Sequence, residues 1–326
     1  MKRYLTISAL LIMTFTAGVI SGMVIQKYEI FPDRVLKTAF NNPEQEGPYG
    51  PWSIGIYEGS TPFDLAAPED VSNPVLTGKD VADRDAAFIA DPFMVVKNGK
   101  YFMFFEVLDR KSDQGVIAYA DSADGREWHY RKVVINEKFH LSYPYVFEWD
   151  NSYYLIPESN EDFSVRLYKA TQFPEKWEYA GNLLSGYQYL DPSIFRHEDK
   201  WWMFVAAGNH ETLNLYFSDN LLSGWKPHPK NPIVKRNKHF SRPAGRVIVY
   251  DGKLFRLAQD DDPSYGIQVF AFEISELSET SYAEKLASTK PIVTKTAIGW
   301  NAAGMHHVDL HKIGNKWVSA VDGRSK

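Results

Sequence analysis

One phrase recurs five times along this chain, and that recurrence constrains the fold more than any other feature. It begins as "ADPFMVVKNGKYFMFFE" at Ala90 and returns as "YPYVFEWDNSYYLIPES" at Tyr143 and "LDPSIFRHEDKWWMFVA" at Leu190. It returns again as "RPAGRVIVYDGKLFRLAQD" at Arg242 and "HHVDLHKIGNKWVSAVDG" at His306. Pro92, Pro144, Pro192 and Pro243 follow one another at intervals of 52, 48 and 51 residues, and Val308 stands near the same place 65 residues after Pro243. Each copy is an alternating apolar run, a turn rich in Gly, Asn or Asp, and a second run rich in Tyr, Trp and Phe, which is the signature of a β-hairpin.

Between the hairpins a second element repeats: "GVIAYADSADGREW", "SVRLYKATQFPEKWEY", "TLNLYFSDNLLSGWKP" and "YGIQVFAFEISEL". These read as third strands, followed by short fourth strands such as "RKVVI" and "NPIV". Four strands about every 50 residues is the size of a propeller blade. The fifth copy stops after its second strand. Its missing outer strands are available at the other end, where "WSIGIYEGSTPFDL" from Trp52 matches a third strand and "SNPVL" from Ser72 a fourth. Residues 50–326 therefore read as an all-β, five-bladed β-propeller whose N- and C-terminal strands close the last blade and remove exposed edges.

Ahead of it, Lys2 and Arg3 precede an uncharged stretch over residues 4–25. Roughly 20 apolar residues cross a bilayer as a helix. Residues 1–27 are thus expected to be a signal anchor with one transmembrane helix, its basic end in the cytoplasm. A cleaved signal peptide is the alternative. Residues 28–49 read as a linker, and the propeller is expected at the cell membrane on the extracytoplasmic side. A net charge of −5 with no basic stripe argues against a nucleic-acid partner. The chain has no cysteine, which excludes disulfides, zinc-thiolate sites and thiol nucleophiles. Aromatics make up 15% of it, which suits both strands and rings that stack on sugars.

In a propeller the first strands line the axis, so the repeated start positions converge on one funnel. Those positions hold Asp91, Tyr143, Asp191, Arg242 and the pair His306 and His307; the second-strand ends add Glu106, Glu158, Asp260 and Asp322. Crowded titratable groups of this kind shift one another's pKa values, as acid-base chemistry requires. Each has a plainer reading too. An Asp before Pro can cap backbone N–H groups, Glu106 and Asp260 can be hydrogen-bond partners or surface residues, and the histidines can simply pack. Arg242 would counter the carboxylates or hold an anionic group.

The Asp-Pro starts and the "SADGREW" and "SDNLLSGW" turns resemble the five-bladed glycoside hydrolases of family 43. "WSIGIYEGSTPFDL", "IADPFM", "YLIPES" and "DPSIF" resemble the N-terminal domain of the glucosamine inositolphosphorylceramide transferases, over roughly residues 50–323. In the plant proteins the transfer activity is assigned to another domain. The hydrolase resemblance implies Asp91 as the base and Asp191 as the carboxylate that tunes and orients. It also implies a Glu acid at the start of the fourth blade, and Arg242 stands there instead. Glu158 is the first replacement for that acid and Glu106 the second. A central ion near His306 or His307 is implied as well; no cofactor and no catalytic metal is expected. The functional expectation is glycosidic hydrolysis of a glycan or glycolipid head group by Asp91, Asp191 and Glu158, with Arg242, Tyr143, Glu106, His306, His307 and Asp260 binding it. A carbohydrate-binding propeller without turnover is the alternative.

Overall fold

The computed structural model describes residues 50–326 apart from Asn209. The anchor and linker expected over residues 1–49 lie outside the described residues, among which no helix is long and apolar enough to cross a membrane.

Four blades follow in chain order. The first is β2 (Ala86–Lys97), β3 (Lys100–Asp109), β4 (Gln114–Ser122) and β5 (His129–Ile135). The second is β6 (Ser142–Trp149), β7 (Ser152–Glu158), β8 (Ser164–Gln172) and β9 (Lys176–Ser185); the third is β10 (Tyr189–His197), β11 (Lys200–Ala207), β12 (Leu213–Ser218) and β13 (Lys226–Pro227). The fourth departs from the pattern. Its first strand is split into β14 (Arg242–Pro243) and β15 (Ile248–Tyr250), both paired with β16 (Lys253–Asp260), and outside these lie β17 (Gln268–Leu277), β18 (Tyr282–Leu286) and β19 (Val293–Thr294). The split falls at Gly245, whose φ of 138° and whose approach to Val308 leave no room for a side chain.

The fifth blade joins the two ends of the propeller. β20 (Val308–Ile313) pairs with β21 (Lys316–Arg324), β21 pairs antiparallel with β1 (Trp52–Gly59), and Leu76 bridges to Ile54 on the outside. Around the axis β6 touches β2 and β10, β10 touches β14, and β2 touches β20. The Val308 N–H donates to the Ala244 carbonyl at 2.8 Å and completes the ring. Apolar clusters fill the seams between blades, as where Phe93 and Phe104 of the first blade meet Tyr145 and Ile156 of the second.

Two repeated sequence details have local causes. In "SADGREW" the Gly125 N–H donates to Ser122 Oγ at 2.9 Å and the Trp128 indole N–H to the Gly125 carbonyl at 3.2 Å. In "SDNLLSGW" the Asn220 N–H reaches Ser218 Oγ and the Trp225 indole reaches Leu221 in the same manner. In the "NP" fourth strands, the side-chain amides of Asn73 and Asn231 pair with both backbone groups of Ile56 and Leu215, at 2.7–2.9 Å, and so stand in for a strand.

Candidate functional site

Three of the five starts share one unusual backbone conformation. Asp91, Tyr143 and Asp191 have φ of 54°, 46° and 49°, each at a bulge and each before a proline. Residues before proline are normally extended, and a non-glycine residue held in the left-handed region costs on the order of 1–3 kcal/mol. Such strain persists where the surroundings over-determine it. Here the determinants are carboxylates. The Asp91 N–H donates to Asp322 Oδ2 at 3.1 Å, the Asp191 N–H to Glu158 Oε2 at 3.1 Å, and the Tyr143 N–H to Asp91 Oδ2 at 3.2 Å.

The starts open into a cavity of about 310 Å³ on the face where the first strands begin. Asp91, Glu106, Glu158, Arg242 and His306 line it, together with Trp52, His140, His210 and Tyr265. Asp191 is absent from the wall but engaged through it. Its Oδ2 accepts from Arg242 Nε at 2.8 Å and Gln259 Nε2 at 3.1 Å, and lies 2.7 Å from a terminal guanidinium nitrogen of Arg242. The same guanidinium lies 3.7 Å from Glu158 Oε2 and bonds His210 Nδ1 and the Tyr265 hydroxyl. Burial, then the neighbouring Asp191, push the Glu158 carboxyl well above its usual range, against the pull of Arg242. Glu158 thus holds a proton more tightly than an exposed carboxyl would.

On the other side of the axis, Asp322, His306 and Asp91 form a line. Asp322 Oδ1 accepts from the N–H groups of His306 and His307 and lies 2.8 Å from His306 Nδ1; His306 Nε2 lies 3.6 Å from Asp91 Oδ1. The imidazole stacks on Trp52 with centroids 4.1 Å apart. Burial works to lower the His306 pKa, but Asp322 and then Asp91 carry it up to about 9. Burial pushes Asp91 up to about 8, with Asp322, Glu106 and Asp191 adding to the rise and His306 opposing it. Asp91, His306 and Asp322 bring donor atoms within 4.8 Å of one another, a spacing that a metal ion could bridge. Both oxygens of Asp322 and Oδ2 of Asp91 already accept backbone N–H groups, whereas Asp91 Oδ1 and His306 Nε2 face each other at 3.6 Å.

The remaining expected residues lie elsewhere. Tyr143 and His307 are buried at the axis and do not line the cavity. The Tyr143 hydroxyl accepts from the Gly245 N–H at 2.7 Å and lies 2.8 Å from Ser193 Oγ. The His307 ring packs against Phe93 and Tyr143, neither of its nitrogens has a hydrogen-bond partner, and burial lowers it to about 4. Asp260 lies outside the cavity wall, where it pairs with His239 Nδ1 at 2.8 Å and Gln268 Nε2 at 2.8 Å.

Two histidines were not legible as site residues. His140 Nδ1 accepts from the Gly115 N–H at 3.0 Å, and its Nε2 lies 3.1 Å from Glu106 Oε1. His210 belongs to the connection after β11. Both stand in segments outside the repeat, so the phase of the repeat could not flag them.

The sequence family described as glucosamine inositolphosphorylceramide transferase 1, N-terminal, matches residues 44–324. The chain belongs to that family. It is 30% identical over 330 residues to the glucosamine inositolphosphorylceramide transferase 1 of Oryza sativa subsp. japonica, a match that covers 94% of this chain and 43% of the rice protein. The chain thus spans less than half the length of that relative. Two solved structures show the same fold at low identity. An α-L-arabinofuranosidase from Podospora anserina superposes with a TM-score of 0.54 at 12% identity, covering 75% of this chain and 92% of its own. A family 117 glycoside hydrolase from Zobellia galactanivorans superposes at 0.50 and 17%, covering 73% and 85%. The transferase family and the glycoside-hydrolase fold therefore meet in one propeller.

Proposed function

We propose that this family member takes the head group of a glycan or glycolipid into the axial cavity and hydrolyses a glycosidic bond there. The observation that carries the reading is the pair of buried carboxyls, Asp91 and Glu158, in the wall of one cavity, each pushed far above its ordinary range. Glu158 holds a proton and gives it to the leaving oxygen as the glycosidic C–O bond breaks. Asp91, once ionised, accepts the proton of the water whose oxygen bonds the anomeric carbon. Asp191, clamped by Arg242, holds Glu158 in place and sets its proton affinity. Tyr265, partly exposed in the wall, supplies an aromatic surface for a sugar ring. The sugar substrate class is supported by the names of the relatives and by the glycoside-hydrolase fold. In the same reading the apolar residues 4–25 anchor the chain, and the propeller works on the extracytoplasmic side.

A second reading has a specific observation behind it. Arg242 occupies the start of the fourth blade, where the hydrolase resemblance places an acid, and it neutralises Asp191. The cavity would then hold a sugar without cutting it. A screen of nitrophenyl glycosides and surface polysaccharides, with Asp91→Asn and Glu158→Gln beside the wild type, separates the two. Turnover abolished by both changes supports hydrolysis. Binding by calorimetry with no turnover in any protein would overturn it in favour of the second reading.

A further inference from the structure

Arg242 opens the fourth blade, and every nitrogen of its guanidinium is engaged. Nε and one terminal nitrogen hold Asp191 Oδ2 at 2.8 and 2.7 Å. The other terminal nitrogen reaches His210 Nδ1 at 3.1 Å and the Tyr265 hydroxyl at 3.3 Å. Its charge is matched as well. Burial opposes that charge, yet Asp191 above all, and also Asp261, carry the Arg242 pKa well above its ordinary value. An anionic ligand group would find no free donor on this arginine, and carboxylates already beside it.

A guanidinium donates hydrogen bonds and never accepts them. His210 Nδ1 must therefore accept from Arg242, which fixes the neutral imidazole as the tautomer with its proton on Nε2. An imidazolium would set two donors against each other. The competing acceptor, Asp261 Oδ2, lies 3.9 Å from Nδ1, beyond hydrogen-bond reach. Tyr265 follows the same logic: its oxygen accepts from Arg242, so its own O–H proton points elsewhere. Both side chains line the cavity, and among the described residues nothing meets the Nε2 of the one or the O–H proton of the other. The His210 side chain is 43% exposed, and its backbone is held at both ends. Its N–H donates to the Ala207 carbonyl at 3.0 Å, and its carbonyl accepts from Ser241 Oγ at 2.6 Å, one residue before Arg242.

We infer that His210 and Tyr265 are ligand-facing donors of the cavity, two uncharged groups oriented by one arginine nitrogen, and that their corner selects a neutral oxygen acceptor, the hydroxyl or ring oxygen of an uncharged sugar. This rests on the reading of the cavity as a sugar site, but not on hydrolysis. It makes Arg242 a positioning residue in place of the anion holder that its charge suggests. It also gives the cavity a direction, with donors beside the fourth blade and the acceptor Glu106 in the wall that the first blade supplies.

The full chain is isotope-labelled at the nitrogens of its nine histidines, and nitrogen–proton correlation spectra are recorded near neutral pH, with His210→Gln identifying the His210 signals. His210 is expected to carry its proton on Nε2 with Nδ1 bare. A proton on Nδ1, alone or in an imidazolium, would overturn the inference. Glucose at high millimolar concentration should move the Nε2 resonance further than glucuronate does. A larger response to glucuronate would overturn the neutral class, and no response to either sugar would show that this donor is not offered to a ligand. Glucose affinity is expected to fall about twofold to tenfold in His210→Phe, the size of one neutral hydrogen bond, and to return in His210→Gln, whose amide N–H stands near that of Nε2. Unchanged affinity in the phenylalanine variant would overturn the assignment of His210. The expected tautomer and glucose response in a protein that cleaves no glycoside would sustain the inference and leave hydrolysis as the reading that fails.

Discussion

The backbone N–H of Asp191 donates to Glu158 Oε2, so the carboxylate ending the second strand of one blade holds the first strand of the next. Asp322 and Asp91 repeat the relationship across the seam between the fifth and first blades. The site's acids are therefore also its fasteners. A left-handed Asp before proline is tolerable because a carboxylate on the neighbouring blade receives its N–H. Acid-base chemistry and blade assembly are linked at these positions, and each variant needs one measurement of stability and another of binding or turnover.

Asp191→Asn leaves the Arg242 guanidinium buried with its closest anionic partner removed. Breaking one member of a buried pair costs about 3–5 kcal/mol. Urea unfolding is expected to show a loss of about that size, and the double change Asp191→Asn with Arg242→Gln should cost less than the sum of the singles. Additive losses would mean that the pair is not energetically coupled.

Tyr143→Phe removes the hydroxyl that accepts from Gly245 and meets Ser193. A buried N–H is left without a partner, at a cost of about 1–3 kcal/mol. Since Tyr143 does not line the cavity, glycan affinity by calorimetry should stay within about twofold of the wild type. Loss of affinity at unchanged stability would put Tyr143 back in the binding site.

How much of this was legible in the sequence follows from what repeats encode. The hairpin phase located Asp91, Asp191, Glu158 and Arg242 around one axis, and the incomplete fifth copy identified the strand at Trp52 that closes it. The phase could not show that Asp91 and Asp191 have left-handed backbones, because that depends on carboxylates contributed by other blades. Nor could it find His140, His210 or Tyr265, which reach the cavity from the connections between strands and not from the repeated hairpins. The split of the fourth inner strand was hidden for a related reason. Gly245 gives up ladder pairing to approach Val308 and meet the Tyr143 hydroxyl, both distant in sequence.

Stability and activity are expected to move in opposite directions with pH. His306, raised to about 9 from 6.5, contributes stability that is complete below 6.5 and is lost as pH rises through 9. Asp91, raised to about 8 from 3.8, keeps a proton that the unfolded chain has already released, so its effect has the same sign up to pH 8. Each retained proton gives a slope of about 1.4 kcal/mol per pH unit. Urea midpoints should therefore fall from pH 6.5 to 8, while hydrolysis, which needs ionised Asp91, should climb over the same interval. Midpoints that rise across it would contradict the proton-holding arrangement.

Gly266 has φ of 67°, and a Cβ there would lie 2.7 Å from the His306 Cβ and 3.1 Å from the Trp52 ring. Gly266→Ala must displace the stacked pair. The expected result is a shift in tryptophan fluorescence with ligand affinity reduced about tenfold or more. Wild-type affinity in the alanine variant would show that the stack plays no part in holding the ligand.

Glu106 differs from the other second-strand carboxylates of the site. Asp322 receives the N–H groups of Asp91, His306 and His307, and Glu158 receives that of Asp191. Among the described residues no backbone N–H donates to Glu106, whose Oε1 faces His140 and the cavity. It is the carboxylate left available to a ligand hydroxyl or amine. Glu106→Gln keeps the shape and an acceptor for His140, so the unfolding midpoint should scarcely change. A hydrogen bond to a charged group contributes about 1.5–3 kcal/mol, so glycan affinity should drop about tenfold to a hundredfold. Asp322→Ala should do the reverse in order of severity, losing stability first, because three backbone donors and an imidazole lose their acceptor together. Calorimetric affinity beside urea midpoints for the two variants distinguishes a ligand-facing carboxylate from a fastener. A Glu106→Gln protein that binds normally but unfolds early would assign Glu106 to the second role.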